Sequence, residues 1–323
     1  MSKRAVLLLA HGTPETVEQI PEYLRNVVSG RPLPEHVVKE IQHRYGLIGK
    51  SPLTEITFEH ARLVEQELAA AGTPVKVYVG MRNWRPYIPD VVRQMRADGV
   101  EEAAVVCLAP QNSRTSVGLY KRAVEAEAGS LKTDFTEGWA DHPLLAESFA
   151  ERLRTKLAEL KAKTGEAPPV LFTAHSVPCR TVQTQAAGDG APKQWPAGQG
   201  PDPYASDAKR TAELVAARVP EIPQWWFAFQ SQGASGGPWL GPSVEETLDK
   251  LASDGVKTLV LQPIGFLCDH VEILFDVDIL FKEYAAKQGI RLERPESLNT
   301  SVTLAKAVAS LAGKGLERLK AQE

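Results

Sequence analysis

The sequence predicts an α/β protein built from two similar halves, each a parallel sheet covered by helices. Two observations carry that expectation. Short unbroken apolar runs alternate with amphipathic helical stretches along the chain, the pattern of strands buried on both faces. The same punctuation also occurs twice. Each half opens on a strand and an A-H-x-x-P turn, at His11 and at His175, and each later carries D-G-V, an apolar strand and a proline, ending at Pro110 and Pro263. The spacing between matching motifs shortens along the chain, which argues shared topology over strict repetition.

The expected strands are AVLLLA (5–10), VKVYVG (75–80), EAAVVCLA (102–109), PVLFTA (169–174), QWWFAF (224–229) and VKTLVLQPIGF (256–266). Between them, ITFEHARLVEQELAAAG (56–72) places Phe58, Ala61, Leu63, Val64 and Leu68 near one helical face and stops at Gly72. PLLAESFAERLRTKLAELKAKTG (143–165) places Leu145, Phe149, Leu153 and Leu157 on a stripe and stops at Gly165, as apolar periodicity and a C-terminal glycine require. The boundary is expected within 141–168, dividing the chain into 1–150 and 151–323, and the Gly/Pro-rich stretch 187–203 reads as a surface insertion.

In such sheets ligands collect beyond the carboxyl ends of the strands. His11, His175 and the loops after Gly80, Pro110, Gln230 and Pro263 are therefore expected to face one cleft between the halves.

Composition bounds the chemistry. A chain of 323 residues with 43% hydrophobic and 24% charged content can bury a real core and is long enough for two domains of about 150 residues. The net charge of −3 does not point to nucleic acid as a bulk partner, and an anionic substrate would need arginines gathered locally. Cys107, Cys179 and Cys268 lie far apart without a C-x-x-C; no iron–sulfur cluster is expected, and a reducing compartment is the plainer reading. The opening MSKRAVLLLAHGTPE reads as a first core strand and not as a signal peptide. No window approaches the roughly 18–20 apolar residues of a spanning helix, so no integral membrane segment and a cytoplasmic location are expected.

The richest stretch for chemistry is PIGFLCDHVEILFDVDILFKEY (263–284), which leaves a strand and turns into a helix near Asp269. Asp269, Glu272 and Asp276 are spaced three and four apart and share a helical face. Like charges so placed call for water, a cation or a proton relay; equally, Asp269 could cap the helix with Glu272 completing a capping box. His270 could be a satisfied core histidine. His175, held at a strand end by Ser176 and Pro178, could take a proton near neutral pH, ligate a transition metal, or make only a structural hydrogen bond.

With these residues in place, LAHGTP, YGLIGKSPL, VGMRNWRP, APQNSRTSVGLY, FTAHSVP, QSQGASGGPWLGP and QPIGFLCDHVEILFDVDI together make the chain resemble the ferrochelatase family over nearly its whole length. It is most similar to the short bacterial type that acts on coproporphyrin III. The resemblance implies two similar Rossmann-like α/β domains of the class II chelatase-like kind. It also implies insertion of ferrous iron, as substrate, into a porphyrin to give coproheme, with transient contact to neighbouring heme-pathway enzymes. His175 and Glu272 match the catalytic histidine and its carboxylate partner, and with Asp276 they match the implied metal path. Arg31, Tyr45, Ser51 and Tyr120 match the porphyrin side, to which Arg44 is a plausible addition. His11 stands where similar members often carry tyrosine approaching the product iron, and Leu280 stands where the acidic line usually continues. A pocket shaped for a bent ring would expose the pyrrole nitrogens to the metal, and Trp84 and Trp239 could brace the macrocycle or serve the core. Coproporphyrin carries four carboxylates and protoporphyrin two; Arg31, Arg44, Tyr45, Ser51, Arg114 and Tyr120 favour the former. A protoporphyrin ferrochelatase, a cobalt or nickel chelatase and a non-catalytic heme-binding protein remain the alternatives.

Overall fold

A computed structural model describes residues 3–182, 202–232 and 237–322. The stretch 187–203 read as an insertion falls, but for its last two residues, outside them.

Eight strands form two sheets. β1 (Arg4–Ala10), β2 (Lys76–Met81), β3 (Glu102–Cys107) and β4 (Lys132–Thr136) lie in the order β2-β1-β3-β4. β5 (Val170–His175), β6 (Trp225–Gln230), β7 (Thr258–Pro263) and β8 (Arg291–Glu293) lie in the order β6-β5-β7-β8. Every pairing is parallel. The two sheets therefore share one topology, with the first strand of each half in an interior position, as the doubled punctuation implies.

The apolar runs read as strands because both of their faces are covered. Val6, Leu8 and Ala10 of β1 point into one core and Ala5, Leu7 and Leu9 into another, the alternation a pleated strand imposes. The larger core runs through both halves, joining Val6 and Leu8 to Phe149 and Leu153 and on to Val170 and Phe172. The outer face of the second sheet has its own core, with Leu171, Leu259, Leu261, Ile273 and Val277.

Two edge strands escape a sequence reading. β4 is KTDFT and β8 is RLE, short and only partly buried, the composition that blunts a sheet edge.

The helices expected at 56–72 and 143–165 are found at Leu53–Ala70 and Pro143–Thr164. Phe58, assigned above to the buried face of the first, is instead 48% exposed; it sits one position off the stripe Leu53, Thr57, Ala61, Val64 and Leu68.

The expected division at 150/151 falls within helix Pro143–Thr164. The final helix, Val302–Lys320, crosses back onto the first sheet, where Arg318 pairs with Asp134 of β4 and a Cβ on Gly315 would meet Ala104 of β3 at 2.9 Å. Its buried residues Leu304, Ala305, Val308 and Leu316 belong to the shared core. The C-terminal segment thus completes the first half.

The A-H-G-T-P turn depends on its glycine. Gly12 has φ +77°, and a Cβ there would lie 2.8 Å from Met81 Cβ and 3.0 Å from Trp84 N. Gly12→Ala combines a left-handed backbone with a clash, so it is expected to cost about 1–3 kcal/mol and to displace His11. A urea melt showing a lower midpoint at unchanged slope is the check.

Candidate active site

Five strand ends meet at one cavity of about 350 Å³, within the range of small-molecule sites, roughly 300–1,000 Å³. Ala10 and His11 reach it from β1, Arg82 from β2, Ala109 and Gln111 from β3, His175 from β5, and the 265–272 loop from β7. That convergence is what the carboxyl-edge rule requires. The 265–272 loop passes hard against the end of β5: a Cβ on Gly265 would sit 3.0 Å from Ala174 Cα and 3.4 Å from His175 N. Gly265 therefore lets the loop bring Glu272 to His175.

The two groups meet. His175 Nε2 lies 3.2 Å from Glu272 Oε1, with 29% and 32% of their side-chain surfaces exposed. The second carboxylate oxygen, Oε2, lies 3.3 Å from His270 Nε2, and His270 Nδ1 contacts the Cys268 carbonyl at 3.0 Å. One carboxylate therefore bridges two imidazoles. Burial pushes the His175 imidazole down, but the Glu272 charge and hydrogen bond, with smaller help from Ser176 and Asp276, outweigh it and leave the group above 6.5. Burial likewise opposes ionisation of Glu272, and His175 and His270 together hold it well below the usual carboxylate range.

The strand end that carries His175 is rigid. The Tyr204 hydroxyl donates to the His175 carbonyl at 2.8 Å, Ser176 Oγ donates to Leu240 O at 2.8 Å, and Thr173 Oγ1 donates to Gln230 Oε1 at 2.6 Å. Gln230 in turn donates to the Glu272 carbonyl at 3.3 Å.

His11 belongs to the same cavity and differs in charge. Its Nε2 lies 2.8 Å from the Tyr23 hydroxyl, and Asn83 Nδ2 approaches both ring nitrogens at 3.2 Å. Burial, against the pull of Glu272 and with Arg82 adding to it, lowers the imidazole to about 4. His11 is therefore neutral at physiological pH.

Of the other expected residues, Tyr120 lines the cavity, with Arg82 over its ring at 5.8 Å. Arg31, Arg44, Tyr45, Ser51 and Asp276 are not part of that wall. Arg31 is exposed and donates to Val28 O. Tyr45 is buried in a small cluster with Ile20, Tyr23, Leu24 and Trp84, so Trp84 serves the core and does not brace a ring. Ser51 is buried, and its hydroxyl has no hydrogen-bond partner among the described residues. Arg114 donates its backbone N–H to Asp202 at 2.8 Å. Trp239 bridges to Pro178 beside the His175 turn.

The acidic line takes a different course from the one expected. Glu272–Phe281 is a π-helix, with i→i+5 hydrogen bonding, and Glu272 and Asp276 both lie on it. Asp276 is buried; Arg44 Nη1 lies 3.3 Å from Oδ1, and Ser231 Oγ donates to Oδ2 at 2.5 Å. Arg44 is therefore committed to Asp276 and Glu40, a contact that ties helix Glu35–Ile48 to the π-helix. Burial raises Asp276 despite these partners, Ser231 first among them, and Glu272 adds to the rise. His175, Glu272 and Asp276 do not converge as a three-ligand set, and among the described residues no group of three or more His, Cys, Asp or Glu side chains does so. The physical reason is that each oxygen of Asp276 already faces its own partner.

Asp269 neither joins that line nor caps the helix. It accepts from Ser297 Oγ at 2.6 Å and Asn299 Nδ2 at 2.9 Å, and lies 3.3 Å from Arg294 Nη1. Arg294 also pairs with Asp278 at 2.7 Å. This network anchors the loop that carries His270 and Glu272. Leu280, where the acidic line breaks, is 40% exposed.

Sequence reasoning missed His60, Arg82 and Tyr204 on the cavity wall. His60 sits among apolar positions of an ordinary amphipathic helix, and Tyr204 follows the Gly/Pro-rich stretch; neither carries a motif. Arg82 lies within GMRNWRP, and only its position after β2 could have marked it.

The arrangement of two like sheets over a shared cleft also occurs in solved chelatase structures. The sirohydrochlorin chelatase of Bacillus subtilis subspecies spizizenii in complex with cobalt matches 99% of this chain and 98% of its own, with a TM-score of 0.55 at 13% identity. The Bacillus subtilis protein described with Fe3+ matches 98% of each chain, with a TM-score of 0.56 at 14% identity. At that identity the likeness carries the fold alone: a two-domain, class II chelatase-like architecture. Sequence carries the family. The Ferrochelatase family model matches residues 3–316. The ferrochelatase of Acidobacterium capsulatum is 57% identical over 99% of this chain and 97% of its own. The coproporphyrin III ferrochelatase of Mycolicibacterium vanbaalenii is 35% identical over 96% and 89%. The chain belongs to the ferrochelatase family and is a metal chelatase acting on a tetrapyrrole. No helix among the described residues is long and apolar enough to cross a membrane.

Two predictions follow from the carboxylate bridge and its anchor. The folded value of His175 lies above its unfolded 6.5, so its contribution to stability is complete below that pH and is lost as pH rises through the folded value. Glu272 lies below its unfolded 4.5, so its contribution is complete above 4.5 and is lost as pH falls through the folded value. The Tm gap between wild type and Glu272→Gln should be widest between pH 4.5 and 6.5, and His175 in the variant should titrate lower than in wild type by NMR, because only Ser176 and Asp276 then oppose burial. Arg294→Met leaves Asp269 without its cation while Asp278 keeps Lys282; a loss of about 3 kcal/mol is expected in a denaturant melt.

Proposed function

We propose that this enzyme inserts ferrous iron into coproporphyrin III to give coproheme, with His175 and Glu272 as its catalytic pair. The observation that carries the reading is the 3.2 Å contact between His175 and Glu272 on the wall of a cavity fed by both halves. Metallation must remove two pyrrole protons, and neutral His175 is the group suited to accept one. The imidazolium so formed is stabilised by the adjacent carboxylate, whose second oxygen faces His270. Because these groups interact strongly, the protons belong to the cluster and not to single residues.

The Gln230 amide donates to the Glu272 backbone carbonyl and to Ser231 Oγ, and Ser231 donates to Asp276, which fixes the second carboxylate beside the first. The raised value of Asp276 makes it a better proton acceptor than a free carboxylate. The same residues offer oxygen ligands to hydrated iron moving inward. Binding there is loose because the Asp276 carboxylate is shared with Arg44 and Ser231, which suits a substrate that must be handed on. His11, neutral throughout the physiological range, would offer a ring nitrogen to iron held in the porphyrin once Tyr23 or Asn83 yields. Arg82 and Tyr120 give the ring a cationic and aromatic edge.

The choice of coproporphyrin rests on relatives named coproporphyrin III ferrochelatase at 31–35% identity. Action in the cytoplasm, with transient hand-over to neighbouring heme-pathway enzymes, belongs to the same proposal.

Anaerobic incubation with ferrous iron and either metal-free porphyrin, followed by absorbance, is the direct test. Faster turnover of coproporphyrin III supports the reading, and a clear preference for protoporphyrin IX reverses the substrate. His175→Ala is expected to keep its fold and lose about 10²–10⁴-fold in kcat; near-normal turnover removes His175 from the mechanism.

A further inference from the structure

We propose that Asp202 and Tyr204 are positioning residues for His175. Asp202 clamps the loop after β3 to the start of helix Tyr204–Ala216, and the Tyr204 hydroxyl passes that register to the His175 main chain. The inference rests on the role given to His175 above and deepens it.

Asp202 is 5% exposed, and its two oxygens face opposite halves of the molecule. Oδ2 accepts from the Arg114 N–H at 2.8 Å and from Ser113 Oγ at 3.4 Å, both on the loop that follows β3. Oδ1 accepts from the Tyr204 N–H at 3.0 Å, the bond an aspartate makes to the backbone two residues on. Tyr204 lines the cavity, and its hydroxyl donates to the His175 carbonyl at 2.8 Å. Ser113, Thr115 and Ser116 of the same loop line that cavity as well. A chain of hydrogen bonds therefore runs from the first half's wall to the residue that carries the proton acceptor.

A second clamp holds this loop without reaching the histidine. The Asn112 N–H donates to Asp207 Oδ2 at 2.9 Å, farther along the helix. Asp207 thus shares the docking role of Asp202 and lacks its link to Tyr204, so the two can be told apart.

The chemistry explains why such a link matters. Proton transfer needs the imidazole and the pyrrole nitrogen in a near-attack geometry, and a misplacement of about 1 Å can cost about a hundredfold in rate. The ring rests on walls from both halves, whereas His175 belongs to the second. Asp202 ties its main chain to the opposite wall, so the approach of imidazole to macrocycle is set across the cleft.

The test compares wild type with Tyr204→Phe, Asp202→Ala, Asp202→Ser, the double variant Asp202→Ala/Tyr204→Phe, and Asp207→Ala. The readouts are kcat and KM for iron insertion, Tm, and hydrogen exchange of the Ser176 amide, which bonds the Gln230 carbonyl at 2.6 Å beside the histidine. Tyr204→Phe removes one oxygen and no packing, so its fold is expected to hold. Its kcat should fall between about tenfold and a hundredfold with KM little changed, the split expected when only the transition state loses. Asp202→Ala should lose kcat to a similar degree and also raise KM, because the loop on the cavity wall is freed. A serine hydroxyl can replace the bond to the Tyr204 N–H and is too short for the loop, so Asp202→Ser should recover kcat and keep the raised KM. The double variant should be no slower than the slower single, as expected of residues acting in series. Ser176 should exchange faster in Tyr204→Phe and Asp202→Ala. Asp207→Ala should lower Tm and leave kcat and Ser176 exchange as in wild type.

Wild-type kcat in Tyr204→Phe, alongside an inactive His175→Ala, overturns the inference and leaves the proposed function standing. Multiplicative losses in the double variant, or an equal kcat loss in Asp207→Ala, mean separate action or general loosening and likewise overturn it. A wild-type protein that metallates neither porphyrin, or an active His175→Ala, takes down both proposals.

Discussion

The site depends on one carboxylate that cannot satisfy its charge alone. Glu272 sits where burial opposes ionisation, and two imidazoles hold it ionised. Each partner is fixed from elsewhere: His175 by the end of β5 and Tyr204, His270 by the Cys268 carbonyl. The low local dielectric makes an unpaired charge costly and a paired one strong. The pair therefore couples two loops that the chain separates by almost a hundred residues. Proton affinity and position are set by the same contacts.

The fold delivers those loops to one place by repetition. Parallel strands all end on the same side, so two sheets of one topology offer two sets of carboxyl ends to the space between them. The halves are not independent, however. The helix Val302–Lys320 returns to the first sheet, and Arg44 reaches from the first half to Asp276 in the second. These bridges set how far apart the two edges stand.

Six strands were legible because their apolar runs are unbroken; β4 and β8, one edge of each sheet, were not, because KTDFT is largely polar and RLE is too short to show a pattern. The His175–Glu272 pair was legible from two motifs at equivalent strand ends. The acidic line was misread in part. A helical spacing of three and four treats Asp269 as a neighbour of Glu272, whereas Asp269 lies before the π-helix and faces Arg294, Ser297 and Asn299.

By itself the sequence determined six of the eight strands and two of the longer helices, that the halves share an order, and which histidines stand at strand ends. These properties are local: apolar period, turn chemistry and chain order carry them. Tertiary structure alone decided which polar groups find partners. It gave Arg44 to Asp276, turned Asp269 to Arg294, placed Trp84 in the core and left the buried His60 nitrogens without a hydrogen-bond partner among the described residues. The reason is physical: hydrogen bonding and burial depend on neighbours contributed by distant segments, and no short window of residues contains them.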